Sequence, residues 1–177
     1  RFLVEVFDEW VRHDVGDVFV QVFDTALAHW LGMHQTGMCV HARTCGSAVA
    51  LEHNGDLYSC DHFVDPEHLL GSIAEGRTLL ELVTSPQQKA FGRAKVDTLT
   101  RQCRECVVRF ACHGGCPKDR FVLSEDGEEG QHYLCAGYQR FFGHIDAPMQ
   151  VMADLVRRGR DAADVRGWVA TGPVHRS

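Results

Sequence analysis

No stretch of the 177 residues is apolar for anything near the ~20 residues that a membrane helix needs. No secretory leader opens the chain either, so the expectation is a cytoplasmic protein away from membranes. A basic excess is also missing. Net charge is −6 with histidine neutral, where a nucleic-acid binder would show a basic patch or stripe, so no nucleic-acid partner is expected. There is no internal repeat and no low-complexity tract. Eleven histidines are present, yet His29, His34, His41, His53, His62, His68 and His132 fall into no HxxxH or HExxH spacing. They read as surface or satisfied core residues. His113 follows Cys112 without making the CxxCH of haem attachment.

Bulk composition is that of an ordinary globular protein, 45% hydrophobic and 24% charged. The length suits one compact domain, or a small domain plus part of another. The chain opens on Arg1 rather than Met, with residues 2–11 already helical in pattern, so it is expected to be the C-terminal piece of something longer. Phe2, Val6, Trp10 and His13 share helical spacing, with Leu3 and Phe7 beside them. Residues 18–23 read as a short apolar strand, and Asp24 or Thr25 as the cap of a helix ending near Gly32. That helix–strand–helix order is material for the edge of a parallel sheet or an α/β barrel. Residues 48–60 carry Asn54-Gly55 between two strand-like runs, a strong hairpin signal. A short strand over 69–73 and helices near 77–83 and 86–94 follow. Residues 103–116 are expected as loop, 124–130 as an acidic surface loop, and 133–158 as a helix that Pro148 kinks or breaks. The last 17 or so residues look weakly ordered.

What the chain has in excess is cysteine. Its eight cysteines run Cys39-x5-Cys45-x14-Cys60, then after 42 residues Cys103-x2-Cys106-x5-Cys112-x3-Cys116-x18-Cys135. Two sets of four leave none over. Disulfides suit secreted scaffolds, which are usually short and carry a secretion signal. Two four-cysteine zinc sites are the serious competitor, although only one CxxC pair is present. For iron–sulfur clusters speaks Cys112-x3-Cys116-Pro117, which resembles the end of the bacterial ferredoxin run, where the cysteine before proline ligates the other of two clusters. On that comparison Cys116 joins Cys39, Cys45 and Cys60, and Cys135 completes the set of Cys103, Cys106 and Cys112. Gly114-Gly115 reads either as backbone passing close to a cluster or as a flexible loop.

Together, Cys39-x5-Cys45, Tyr58-Ser-Cys60-Asp61, Leu70-Gly-Ser-Ile73, Cys103-Arg-Glu-Cys106, Cys112-His-Gly-Gly-Cys116 and Cys135 resemble a SPASM domain. Such domains are the two-cluster C-terminal extensions of radical S-adenosylmethionine (SAM) peptide-modifying enzymes. Phe7-Asp-Glu-Trp10, Phe23-Asp24, Cys60-Asp61-His62-Phe63-Val64 and Tyr138-Gln-Arg-Phe-Phe142 are similar to the anaerobic sulfatase-maturating enzymes within that group. The resemblance implies an α/β to α+β chain. Residues 1–38 would be the end of a radical SAM partial (β/α) barrel, 39–142 the SPASM domain, and 143–177 a C-terminal helix and tail. It implies two auxiliary 4Fe–4S clusters, one on Cys39, Cys45, Cys60 and Cys116, the other on Cys103, Cys106, Cys112 and Cys135. SAM and a third cluster are expected in an N-terminal domain, because the CxxxCxxC loop that holds them is absent here and this chain alone should be inactive.

In the family's reaction a 5′-deoxyadenosyl radical takes a hydrogen atom from Cβ of a sulfatase Cys or Ser. A base takes the thiol or hydroxyl proton, an electron leaves toward an auxiliary cluster, and Cα-formylglycine results. Asp61, directly after the third cysteine of the first set, is the implied base. An Asp that merely caps a turn is the bland reading of the same residue. The implied partners are an unmodified sulfatase polypeptide and an electron donor such as flavodoxin or ferredoxin. Two other readings stay open: the SPASM domain of another peptide maturase, forming thioether or carbon–carbon crosslinks, and a non-catalytic zinc-binding interaction module.

Overall fold

The structure is a computed structural model that describes residues 1–33 and 37–171; His34 lies outside them. In chain order it comprises α1 (Phe2–His13), α2 (Gln21–Trp30), β1 (Ala50–Leu51), β2 (Asp56–Tyr58), β3 (Leu69–Ser72), α3 (Leu79–Val83), α4 (Pro86–Asp97), α5 (Arg101–Glu105), α6 (Arg109–Cys112), α7 (Cys135–Arg157) and α8 (Val165–Thr171). It divides into two compact units. The first takes Arg1–Met38, Val107–Cys112 and Leu134–Ser177, and the second takes Cys39–Cys106 and His113–Tyr133.

The first unit is all helix around an aromatic core. Phe7, Trp10 and Phe23 meet with ring centroids 5.0 to 5.7 Å apart, and Phe141 of α7 lies 6.1 Å from Phe23. The two buried tryptophans keep their N–H groups bonded. Trp10 Nε1 donates to Val18 O at 2.8 Å and Trp30 Nε1 to Asp146 Oδ1 at 2.9 Å. On α7, Phe141, Ile145, Met149 and Met152 recur at three- and four-residue steps and are all buried.

Four sequence expectations change here. Residues 18–23 are not a strand, because α2 starts at Gln21 and Phe23, Ala26 and Trp30 form its buried face at helical spacing. The start is fixed by Asp24, whose carboxylate accepts from Val20 N at 3.2 Å. On α1 the buried face is Phe7, Trp10 and Val11, leaving Phe2 and Val6 outward. The tail is ordered through Thr171, as α8 docks Val165 into the core and Arg166 donates to the carbonyls of His13 and Val15. α7 runs unbroken through Pro148. A proline removes one N–H from a helix ladder, and burial of Ile145, Met149 and Met152 along the same face offsets that loss.

The second unit holds a three-stranded antiparallel meander, β1-β2-β3, with Leu57 paired to Leu51 and Gly71. Leu57, Leu70 and Leu82 form its small core. The hairpin sits where Asn54-Gly55 places it, with a different turn. Gly55 N bonds Glu52 O, only Gly55 of the loop has positive φ, and Glu52 N closes on Asp56 O. This is a three-residue loop of type I plus a left-handed glycine. Thr78 and Glu81 make a reciprocal cap on α3, and Ser85 and Pro86 open α4. The expected loop over 103–116 contains two short helices, α5 and α6; Thr100 Oγ1 accepts from Cys103 N and so caps the first.

Candidate metal centre

Cys39, Cys45, Cys60 and Cys116 all belong to the second unit, and none of them is in a disulfide. Cys39 opens a single 3-10 turn. Cys45 is held by α4: its N–H donates to Gly92 O at 3.1 Å, and a Cβ on Gly92 would stand 2.7 Å from Cys45 O. Only glycine lets the helix backbone meet the cysteine backbone there. Cys60 follows β2, and its carbonyl accepts from Phe63 N. Gln88 of α4 donates to Gly46 O and Ser59 O, each at 3.1 Å, and so ties the loop after Cys45 to the segment before Cys60.

Cys116 and Cys39 are among the charges that raise Cys45, and Cys116 also raises Cys60. Burial is the larger cause in both, and it pushes the Cys60 thiol up to about 11. Two thiols this costly to ionise fit a site completed by a bound cation, since coordination deprotonates a thiol outright. Among the described residues no three His, Cys, Asp or Glu side chains are arranged to hold a single metal ion. A cubane cluster asks instead for one thiolate on each of its four irons, and the donor set of four cysteines suits it.

Asp61 is exposed, and its Oδ1 accepts from the Cys60 thiol at 3.2 Å. That bond, followed by the charge of His62, holds its carboxyl below the usual range. The lowering depends on the thiol proton, and a Cys60 thiolate would have none to give.

Two cations missed by the sequence reading complete the surroundings. Lys95 on α4 is fully buried; its Nζ donates to Cys39 O at 2.7 Å and Val40 O at 3.1 Å. Arg120 spreads its guanidinium over the loop ahead of Cys116, with Nε donating to Gly114 O at 2.9 Å, Nη2 to His113 O at 3.1 Å and Nη1 to Lys95 O at 2.8 Å. The residues it clasps all have positive φ: His113 at 48°, Gly114 at 73° and Gly115 at 65°. Nothing in a local run such as Gly92-Arg-Ala-Lys-Val96 distinguishes a buried lysine from a solvated one.

Of the other four cysteines, Cys103 and Cys106 are in the second unit, whereas Cys112 and Cys135 are in the first. Cys103 is buried on α5, its thiol 3.3 Å from Gln131 Oε1, which also accepts from Thr100 Oγ1 at 2.6 Å. Cys106 caps the same helix at its C-terminus, one turn on. Cys112 ends α6 and Cys135 begins α7.

Residues 39–107 match the family model of the SPASM iron–sulfur cluster-binding domain. The chain is 50% identical over 174 residues to a serine-type anaerobic sulfatase-maturating enzyme of Bacteroides thetaiotaomicron, covering 98% of this chain and 42% of that protein. It is 28% identical over 144 residues to a cysteine-type anaerobic sulfatase-maturating enzyme of Clostridium perfringens, covering 80% of this chain and 38% of the relative. The solved structure of native anSMEcpe with bound AdoMet and Cp18Cys peptide superposes with a TM-score of 0.73 at 27% identity, over 88% of this chain and 42% of that one. The chain thus spans about four tenths of the length of the curated relatives it matches. The mixture of helices with one small sheet is the fold shared with that structure.

Proposed function

We propose that this chain, which carries an iron–sulfur cluster-binding SPASM domain and is similar over nearly all its length to sulfatase-maturating enzymes, is the C-terminal part of a radical SAM enzyme. That enzyme oxidises a sulfatase residue to Cα-formylglycine, and the higher identity to serine-type relatives makes serine the target. Residues 1–38 belong to the end of its partial barrel, although they are helical here and contribute no strand among the described residues. SAM and a third cluster reside in the remainder of the enzyme, and a flavodoxin or ferredoxin supplies electrons. No helix among the described residues is long and apolar enough to cross a membrane.

Two 4Fe–4S clusters are held by Cys39, Cys45, Cys60 and Cys116 and by Cys103, Cys106, Cys112 and Cys135. When bound, they supply one-electron acceptors beside the substrate. The chain's own contribution is to aim those ligands and to take a proton. Asp61 is an exposed carboxylate adjoining Cys60, so its Oδ atoms can reach a peptide hydroxyl brought to the same cluster and accept its proton as general base.

The observation that carries this reading is that the segments bearing Cys39, Cys45, Cys60 and Cys116, none of them in a disulfide, are all hydrogen-bonded to α4, directly or through Arg120, within a chain whose residues 39–107 match an iron–sulfur cluster-binding domain. The test is an Asp61→Asn substitution in the full-length enzyme, purified anaerobically. Iron should stay at the wild-type level, about eight atoms for these two clusters plus those of the SAM site. Formylglycine formation on a serine peptide should fall by about 10²- to 10⁴-fold, the usual contribution of a general base. A wild-type rate with full iron would remove Asp61 from the role, and a colourless protein holding two zincs would remove the clusters.

A further inference from the structure

Lys95 presents a problem in electrostatics. Its side chain is fully buried, and among the described residues no carboxylate pairs with it. Burying an ammonium costs several kcal/mol unless an opposite charge compensates it, and two carbonyl oxygens supply only dipoles. Its charged neighbour Arg120, bonded to Lys95 O at 2.8 Å, repels it. The other charges acting on Lys95 are Cys45, Cys116 and Cys39, three of the four thiols of the first quartet. A buried cation whose only opposite charges are those of nearby thiols finds its counter-charge only when those thiols are ionised. A cluster with four thiolate ligands is anionic in both redox states and more so when reduced.

We propose that Lys95, seconded by Arg120, is a positioning residue for the cluster on Cys39, Cys45, Cys60 and Cys116: it holds the Cys39 carbonyl in place, and its charge raises that cluster's reduction potential. This rests on the cluster assignment made above. The geometry gives the two residues distinct tasks. Lys95 reaches from α4 to the first ligand loop through Cys39 O and Val40 O. Arg120 gathers the carbonyls of His113 and Gly114, just ahead of Cys116. Their link through Lys95 O joins the two loops that bring the earliest and latest ligands of the quartet. Charge close to a cluster and hydrogen bonding around its sulfurs are among the levers by which a protein sets its potential.

The experiment is a redox titration followed by electron paramagnetic resonance on the full-length enzyme and on two variants. Lys95→Met removes both donor and charge at similar length, and Lys95→Gln keeps a donor while removing the charge. In each variant one cluster couple should move to lower potential while the others stay. The shift expected is about 59 mV, a tenfold change in the oxidised-to-reduced ratio of a one-electron couple. If Lys95→Met keeps its fold by circular dichroism but loses the iron of one cluster, and Lys95→Gln keeps that iron at lower potential, both tasks are upheld. Full iron with unmoved potentials in both variants overturns the proposal. Absence of iron from the wild-type protein strikes the cluster assignment instead, and is read before any variant is made.

Discussion

Three successive residues with positive φ, His113, Gly114 and Gly115, form the approach to Cys116, and each glycine there answers to a different neighbour. A Cβ on Gly114 would lie 2.4 Å from Leu99 Cδ2, and one on Gly115 would lie 2.3 Å from His132 Cδ2. Gly76, at φ +84°, has nothing within 4 Å of the same position, so it isolates the cost of conformation alone. Gly76→Ala should therefore lose about 1 kcal/mol, the price of a left-handed alanine. Gly115→Ala adds overpacking against a buried ring and should lose about 3 kcal/mol. Urea denaturation of the three proteins side by side checks the difference; equal losses would mean that His132 moves aside freely. At this scale the sequence is partly legible. The Gly114-Gly115 pair and the Asp61 that follows Cys60 can both be picked out from their neighbours. Lys95 cannot, because burial of a lysine is decided by what packs over α4, and that comes from residues 39–45 and 113–120.

Between elements, the decisive contrast is Phe19 against Phe23. As a strand, residues 18–23 would point both phenylalanines to one face, since side chains alternate with a period of two. The helix beginning at Gln21 separates them instead. Phe23 is fully buried against Phe7 and Trp10, and Phe19 is 76% exposed. Phe23→Ala should cost about 3–5 kcal/mol and Phe19→Ala no more than ~0.5 kcal/mol. Thermal melts of the two variants check this, and similar losses would restore the strand reading. Local preference misled here because Val, Phe and Val favour strands, whereas the partner that settles the matter, Phe141 on α7, is more than a hundred residues away. The hairpin was readable for the opposite reason. Its information is local, carried by Gly55 and by Asn54, which accepts from Asp56 N at 3.1 Å. The short helices α5 and α6 were hidden by their cysteines, since Cys103 lies inside α5 and Cys112 ends α6, and spacing that suits ligands carries no helical period.

Across the whole molecule, apolar burial is unevenly divided. The first unit buries Phe7, Trp10, Phe23, Trp30, Phe141, Phe142, Ile145, Met149 and Met152 among others. The described residues of the second unit offer Leu57, Leu70, Leu82 and Leu99, with Cys103. Four leucines are a thin core for a unit of this length, and small cores of that kind ordinarily need a metal or disulfide staple. Iron bound by cysteines from both ends of the unit would close its long loops and make cluster binding part of its folding free energy. Removing iron anaerobically with a chelator should therefore loosen the second unit's core, while the first unit, although it carries Cys112 and Cys135, keeps its aromatic core. Hydrogen exchange on the iron-free protein should show protection lost at Leu57, Leu70 and Leu82 and retained along α1, α2 and α7. Equal protection of Leu57 with and without iron would mean that the leucines and the Thr78–Glu81 and Ser85 caps suffice. Cys39, Cys45, Cys60 and Cys116 would then serve chemistry alone, with no part in holding the sheet.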